Sequence, residues 1–248
     1  MVKCIKEVYV RRRKMDLMTT YSWFSGFQES FEKTFIREDR YKLFIDGILL
    51  TLKVSLLAVC IGIIIGFLIA LCNLSKHLPL RLIGKVYTDV IRGTPSVTQL
   101  MIIYFVIFAS VDLEKWIIAS IAFGINSGAY VSEIIRAGIM SIDKGQTEAG
   151  RSLGLNGRQT MMKIVLPQAL KNIFPALCNE FIVLIKETAI VGYVGLMDIQ
   201  KASDFVKSAT FEAAMPLLAT AVIYFVIIKI LTICLGLLEK KLRKSEAR

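Results

Sequence analysis

Residues 148–167 read EAGRSLGLNGRQTMMKIVLP, a polar and basic stretch between two apolar spans that is too long for a simple turn. Thr147, just before it, is placed to cap a short helix, its hydroxyl accepting from an unpaired first-turn N–H. Glu148 then falls in that first turn, where the helix dipole favours a carboxylate. Gly154 closes the helix, because Gly takes the left-handed cap conformation without steric cost. Asn156 and Gly157 make a bend, and RQTMMKIVL begins a second helix that Pro167 interrupts or kinks. Helix, Gly hinge and helix on the basic side of a membrane make a docking knob rather than a spanning element.

The surrounding composition supplies the membrane. Of the 248 residues, 55% are hydrophobic, and they come in blocks such as 45–71; about 20 apolar residues cross a bilayer as a helix. The formal charge of +11 sits in loops and tails, where positive-inside bias explains it better than nucleic-acid binding. Cys4, Cys60, Cys72, Cys178 and Cys234 lie mostly inside apolar runs with no paired spacing, so they read as small core residues. The single His, His77, reads as a solvated surface residue. Neither a metal site nor a cofactor is expected.

Residues 1–44 form a lead-in with no apolar core of signal-peptide length, and RRRK at 11–14 is a solvated basic run. Phe27, Phe31 and Phe35 share one face of a helix lying at the membrane interface. Five spans follow, at about 45–71, 95–111, 116–139, 176–197 and 213–238. The membrane domain thus covers 45–240, and a basic tail covers 241–248. In the first span Ala58, Gly62, Gly66 and Ala70 recur every fourth residue, a face over which helices pack closely in lipid. Gly124 and Gly128 mark a similar face in the third. Lys53 either snorkels to the interface or faces the bundle. Segments 75–92, 136–175 and 239–248 hold fifteen Lys and Arg, against seven in 33–44, 111–115 and 199–212. That bias puts 148–167 and the C-terminus in the cytoplasm and the N-terminus outside.

Polar residues inside the spans are the candidates for a pathway. Asn179 with Lys186, and Glu180 with Glu187, are seven apart and form one polar stripe on the fourth span. Asn126, Tyr130 and Glu133 line one face of the third. Ionisable groups at membrane depth are costly and face partners or a wet cavity, so lining a pathway and pairing within the bundle both fit; Arg136 can pair with Glu133 at i+3. Gly192 and Gly195 loosen the fourth span near its outer end or pack it closely. There is no Gly-x-x-x-x-Gly-Lys-Ser/Thr loop and no His-Glu-x-x-His, so no catalytic residue is assigned. Any ATP is bound by another chain.

Glu148, Ala149, Gly150, Gly154, Ile164, Leu166 and Pro167 stand at the spacings of the Glu-Ala-Ala loop shared by permease subunits of bacterial ABC importers, with Gly150 replacing the second Ala. RGTPSVTQLMIIYF at 92–105, SGAYVSEIIRAGI at 127–139 and NEFIVLIKETAIVGYVGLMDI at 179–199 resemble the polar amino acid branch of that family. The resemblance implies an all-α membrane protein with five transmembrane helices and a cytoplasmic coupling-helix loop, the type I importer permease fold, in the bacterial plasma (inner) membrane. It implies a homodimer or heterodimer with a second permease, two cytoplasmic ABC ATPases and an extracytoplasmic solute-binding protein. Glu148, Ala149, Gly150, Arg151, Gly154 and Leu155 would enter the ATPase groove. Asn126, Tyr130, Glu133, Asn179, Glu180, Lys186 and Glu187 would line the path of a polar or charged amino acid. The competing reading is an ion-gradient-driven transporter or channel subunit, which leaves the loop pattern unexplained.

Overall fold

Two helices set the framework: α2 (Tyr41–Leu74) and α5 (Lys115–Met140) lie against each other along most of their length. This computed structural model describes residues 25–244, with side chains as far as residue 240; Cys4 and the basic run at 11–14 lie outside them. Small residues bring the two backbones together. Ala58, Gly62, Gly66 and Ala70 are all buried along α2. A Cβ on Gly62 would sit 2.9 Å from Ser127, and one on Gly66 would sit 2.5 Å from Val131 Cγ1. The fit is reciprocal, since a Cβ on Gly124 or Gly128 would strike Ile61 or Ile65 at 2.6 and 2.7 Å. In lipid, where burial between helices gains little, this interlocking supplies the dispersion contact that holds the pair.

Around this pair the chain runs through α1 (25–31), α3 (Leu78–Arg92), α4 (Ser96–Ile102), α6 (Lys144–Ser152), α7 (Gly157–Thr160), α8 (Leu166–Glu187), α9 (Ile199–Thr210) and α10 (Ala214–Lys244). One apolar core joins Val54, Ala58, Leu100, Ala122, Phe123 and Leu184; a second joins Phe44, Ile199, Ala202 and Val206 to Ile223 and Tyr224 of α10. Lys53 does not point into either. Its Nζ lies 3.6 Å from the centre of the Trp116 ring, at the start of α5.

The spans differ from the sequence reading in instructive ways. Helices α2, α5 and α10 are each long and apolar enough to cross a membrane, and a fourth crossing is made if α3 and the segment Ser96–Ile107 count as one broken span, bent by 105°. The bend falls at Gly93-Thr94-Pro95, where proline disfavours helix in the residue before it. Residues 75–92, read as a loop, are mostly the helix α3, and 199–212, also read as a loop, contain α9. Charged residues spaced along helices that lie over the bundle had masked both. Helix α8 starts at Leu166, ten residues before the expected span, and runs on through Pro175. Pro167 follows directly on the π-helical turn Met161–Val165, with helical backbone at Val165 and Leu166, so the wider winding ahead of it takes up the irregularity without ending the helix.

At the other end α8 passes into a 3₁₀ stretch, Thr188–Val194, which Gly195 terminates at φ 75°. Phe27 and Phe31 are exposed, whereas Phe35 leaves their face and turns in to stack 5.3 Å from Phe44. Cys60 and Cys234 are exposed on the bundle's outer surface, not in its core.

Candidate functional site

The knob is built by α6 and the turn that follows. Its cap is not Thr147 but Asp143, whose carboxylate accepts from Gly145 N at 2.6 Å. The helix therefore starts four residues earlier than the sequence reading had it, and Glu148 lies mid-helix rather than in the first turn. The C-terminal end conforms to expectation. Leu155 N donates to Gly150 O at 3.1 Å and Gly154 N to Arg151 O at 3.0 Å, the bond pair of a Schellman closure. Gly154 carries φ 84° with nothing within 4 Å of an added Cβ, so its backbone conformation, not space, calls for Gly.

The second helix braces the first. Asn156 and Gln159 exchange side-chain and backbone bonds at 2.9 Å each, a complete capping box for α7. Gly150 is buried on this brace: a Cβ there would meet Thr160 Cγ2 and Ile164 Cδ1, both at 2.8 Å. That close approach explains why Gly stands where the resembling loops have Ala. Gln168 Nε2 reaches Gln146 Oε1 at 3.3 Å, and Asn172 Nδ2 reaches Ser141 Oγ at 2.9 Å, tying the start of α6 and the end of α5 to α8. Outward, Glu148, Ala149, Arg151 and Gly154 are exposed and Leu155 half-buried, while Leu153 is 81% exposed, a bare apolar tip between charges.

Inside the bundle the candidate pathway residues separate into three groups. Asn126 is buried and donates to Gln99 Oε1 at 2.8 Å; Gln99 in turn donates to Ile91 O at 2.7 Å and Thr94 Oγ1 at 2.6 Å, locking the bend between α3 and α4. Glu180 is buried and accepts from Ser127 Oγ at 2.8 Å. Glu133 pairs with Arg136 at 2.8 Å, as the i+3 spacing expects, and Arg92 lies 5.3 Å from the centre of the Tyr130 ring. The stripe on α8 splits: Glu180 is buried and Glu187 half-buried, while Asn179 and Lys186 are exposed on the surface of this single chain. Gln99, Thr94 and Ser127 were not singled out from sequence. Only the RGTP bend, with Gln99 four residues past Pro95, hinted at them.

A polar interior, a bent span and a braced, exposed knob agree with what the chain resembles. Residues 62–244 match the family of binding-protein-dependent transport system inner membrane components. A Rickettsia bellii protein named as a glutamine transport system permease, GlnP, is 44% identical over 200 residues, covering 80% of this chain and 92% of the relative. The arginine transport system permease ArtQ of Bacillus subtilis is 42% identical over 204 residues, covering 82% and 93%. A crystal structure of an amino acid ABC transporter with histidines superimposes with a TM-score of 0.76 at 43% identity, covering 81% of this chain and 94% of that one. The chain belongs to the binding-protein-dependent transport system inner membrane component family and is a permease subunit of the ABC importers.

Proposed function

We propose that this permease carries a polar or charged amino acid across the bacterial inner membrane, driven by ATP hydrolysed in separate subunits. The relatives named for glutamine and arginine transport support that cargo class. The observation that carries the coupling is the knob itself: α6 holds Glu148, Ala149, Arg151 and Leu153 outward while Gly150 locks it onto Thr160 and Ile164. A lever so braced transmits a push from an ATPase groove into α8 without bending. Five crossings serve this reading: α2, the bent pair, α5, α8 with its 3₁₀ extension, and α10. The Lys and Arg bias puts the N-terminus outside and the knob in the cytoplasm.

Two such permeases, identical or related, enclose the path, with two ATPases below and a solute-binding protein above. Asn126, Tyr130, Glu133, Asn179, Glu180, Lys186 and Glu187 are the pathway residues, and the exposed Asn179 and Lys186 face the partner permease. A zwitterion needs both signs of charge, which Glu180, Glu187 and Lys186 provide. The test is uptake of labelled amino acids by the complex reconstituted in vesicles. ATP-dependent uptake that requires a copurifying ATPase is expected. Uptake driven by an ion gradient without ATP would establish the ion-coupled alternative.

A further inference from the structure

Helix α3 has a polar side that meets the pathway residues only at one end, where Arg92 lies over Tyr130. Leu78, Leu82, Ile83, Val86 and Val90 are each more than half exposed along one face, while Gly84 and Thr88 are buried against the bundle. Between these faces runs a row of cations, Arg81, Lys85 and Arg92, at helical spacing. The row borders a cavity of about 280 Å³ whose other wall is Asn73 of α2 with Glu133 and Arg136 of α5. Four cations there meet two carboxylates, Asp89 and Glu133, and Glu133 is already held by Arg136. Among the described residues neither Arg81 nor Lys85 forms an ion pair. As the arm of the bent pair turned 105° from Ser96–Ile107, an amphipathic helix of this kind runs along the membrane interface, its apolar face among acyl chains and its basic edge at headgroup depth.

We infer that the cavity between α3 and the end of α5 seats the phosphate of an anionic phospholipid headgroup, with the acyl chains lying along Leu82 and Val86. Charge complementarity selects an anion, and the adjoining exposed apolar face selects a lipid over a soluble one. Basic pockets between membrane helices on the cytoplasmic side hold anionic headgroups in this way. The inference rests on the membrane placement in the proposed function, but not on the cargo.

The test is native mass spectrometry of the full-length permease, delipidated and titrated with dioleoylphosphatidylglycerol or dioleoylphosphatidylcholine. The wild type is expected to retain the anionic phosphatidylglycerol preferentially. The double substitution Arg81→Gln with Lys85→Gln removes two interfacial cations and should weaken it roughly 30-fold. Lys201→Gln, on α9, should leave binding unchanged. Should the double variant fail to fold, Lys85→Gln alone alters one exposed side chain and should weaken binding about fivefold. Equal retention of phosphatidylglycerol by wild type and variant overturns the proposal. So does a site that takes inorganic phosphate in equilibrium dialysis but shows no lipid preference. A variant that keeps the lipid but loses its second permease reassigns the row to subunit contact. Transport is not read in this assay, so loss of lipid binding and loss of uptake remain distinguishable failures.

Discussion

Ser127 Oγ donates to a Glu180 carboxylate oxygen across 2.8 Å, joining α5 to α8 where both residues are buried. Removing the hydroxyl with Ser127→Ala leaves a buried carboxylate short of a partner, which costs about 1–3 kcal/mol. Glu180→Gln keeps an acceptor for Ser127, so stability should stay within about 1 kcal/mol. If Glu180 serves the path, uptake in that variant should nevertheless fall at least about tenfold. Unfolding in detergent and uptake in vesicles read the two effects separately; unchanged uptake in Glu180→Gln would make the residue purely structural.

Gly154 and Gly150 demand Gly for different reasons, and substitutions should separate them. At φ 84° a β-branched side chain is strained by roughly 1–3 kcal/mol, so Gly154→Val should insert normally yet uncouple ATP hydrolysis from uptake. Gly154→Asn, which tolerates the left-handed region, should keep both. Wild-type uptake with Val at 154 would show that the knob's closure is dispensable.

Gly150→Ala brings a methyl to 2.8 Å from Ile164 Cδ1 and Thr160 Cγ2, an overpacking that costs about 1–3 kcal/mol. Ile164→Val deletes the Cδ1 atom, so the double variant should recover part of that loss. A double-mutant cycle by denaturant unfolding measures the coupling; additive single effects would show that α6 and the second helix are not in the contact described.

Small-residue packing gives a sharper contrast. Gly66→Val drives a side chain into Val131, at 2.5 Å from its Cγ1, and should disrupt α2 against α5 with loss of folded protein. Gly236 has nothing within 4 Å of an added Cβ, so Gly236→Ala should be neutral or stabilising by up to about 1 kcal/mol. Comparable yields of folded protein from both variants would contradict the interlock.

Asp198 is fully buried at the start of α9, its carboxylate accepting from Gln200 N and Lys201 N at 3.1 Å each. Burial outweighs those bonds and pushes its carboxyl up to about 6. The folded chain thus holds this proton more tightly than the unfolded one. The contribution is full below about pH 4 and is lost as pH rises to about 6, amounting to roughly 2–3 kcal/mol. Asp198→Asn retains a capping side chain and should flatten that slope. Unfolding in detergent at pH 4 and pH 7 compares them; identical pH dependence would place the titration elsewhere.

The sequence by itself determined the apolar blocks, the small-residue faces of α2 and α5, the Gly154 closure and the loop that identifies the family. Each of these is set by residues within a few turns of one another, where helical period and backbone sterics suffice. Helix α3 is not legible in the sequence because its cations interrupt the apolar run, and Thr147 reads as the cap because nothing local shows that Asp143 begins the helix. What only the tertiary structure decided were the partners: Asn126 with Gln99, 27 residues apart, Ser127 with Glu180, 53 apart, and Lys53 over Trp116. A polar side chain in a span must find a partner or water, but the choice among distant candidates depends on how close two backbones come. Here that distance is set by glycines on α2 and α5, and it becomes defined only once the helices are packed.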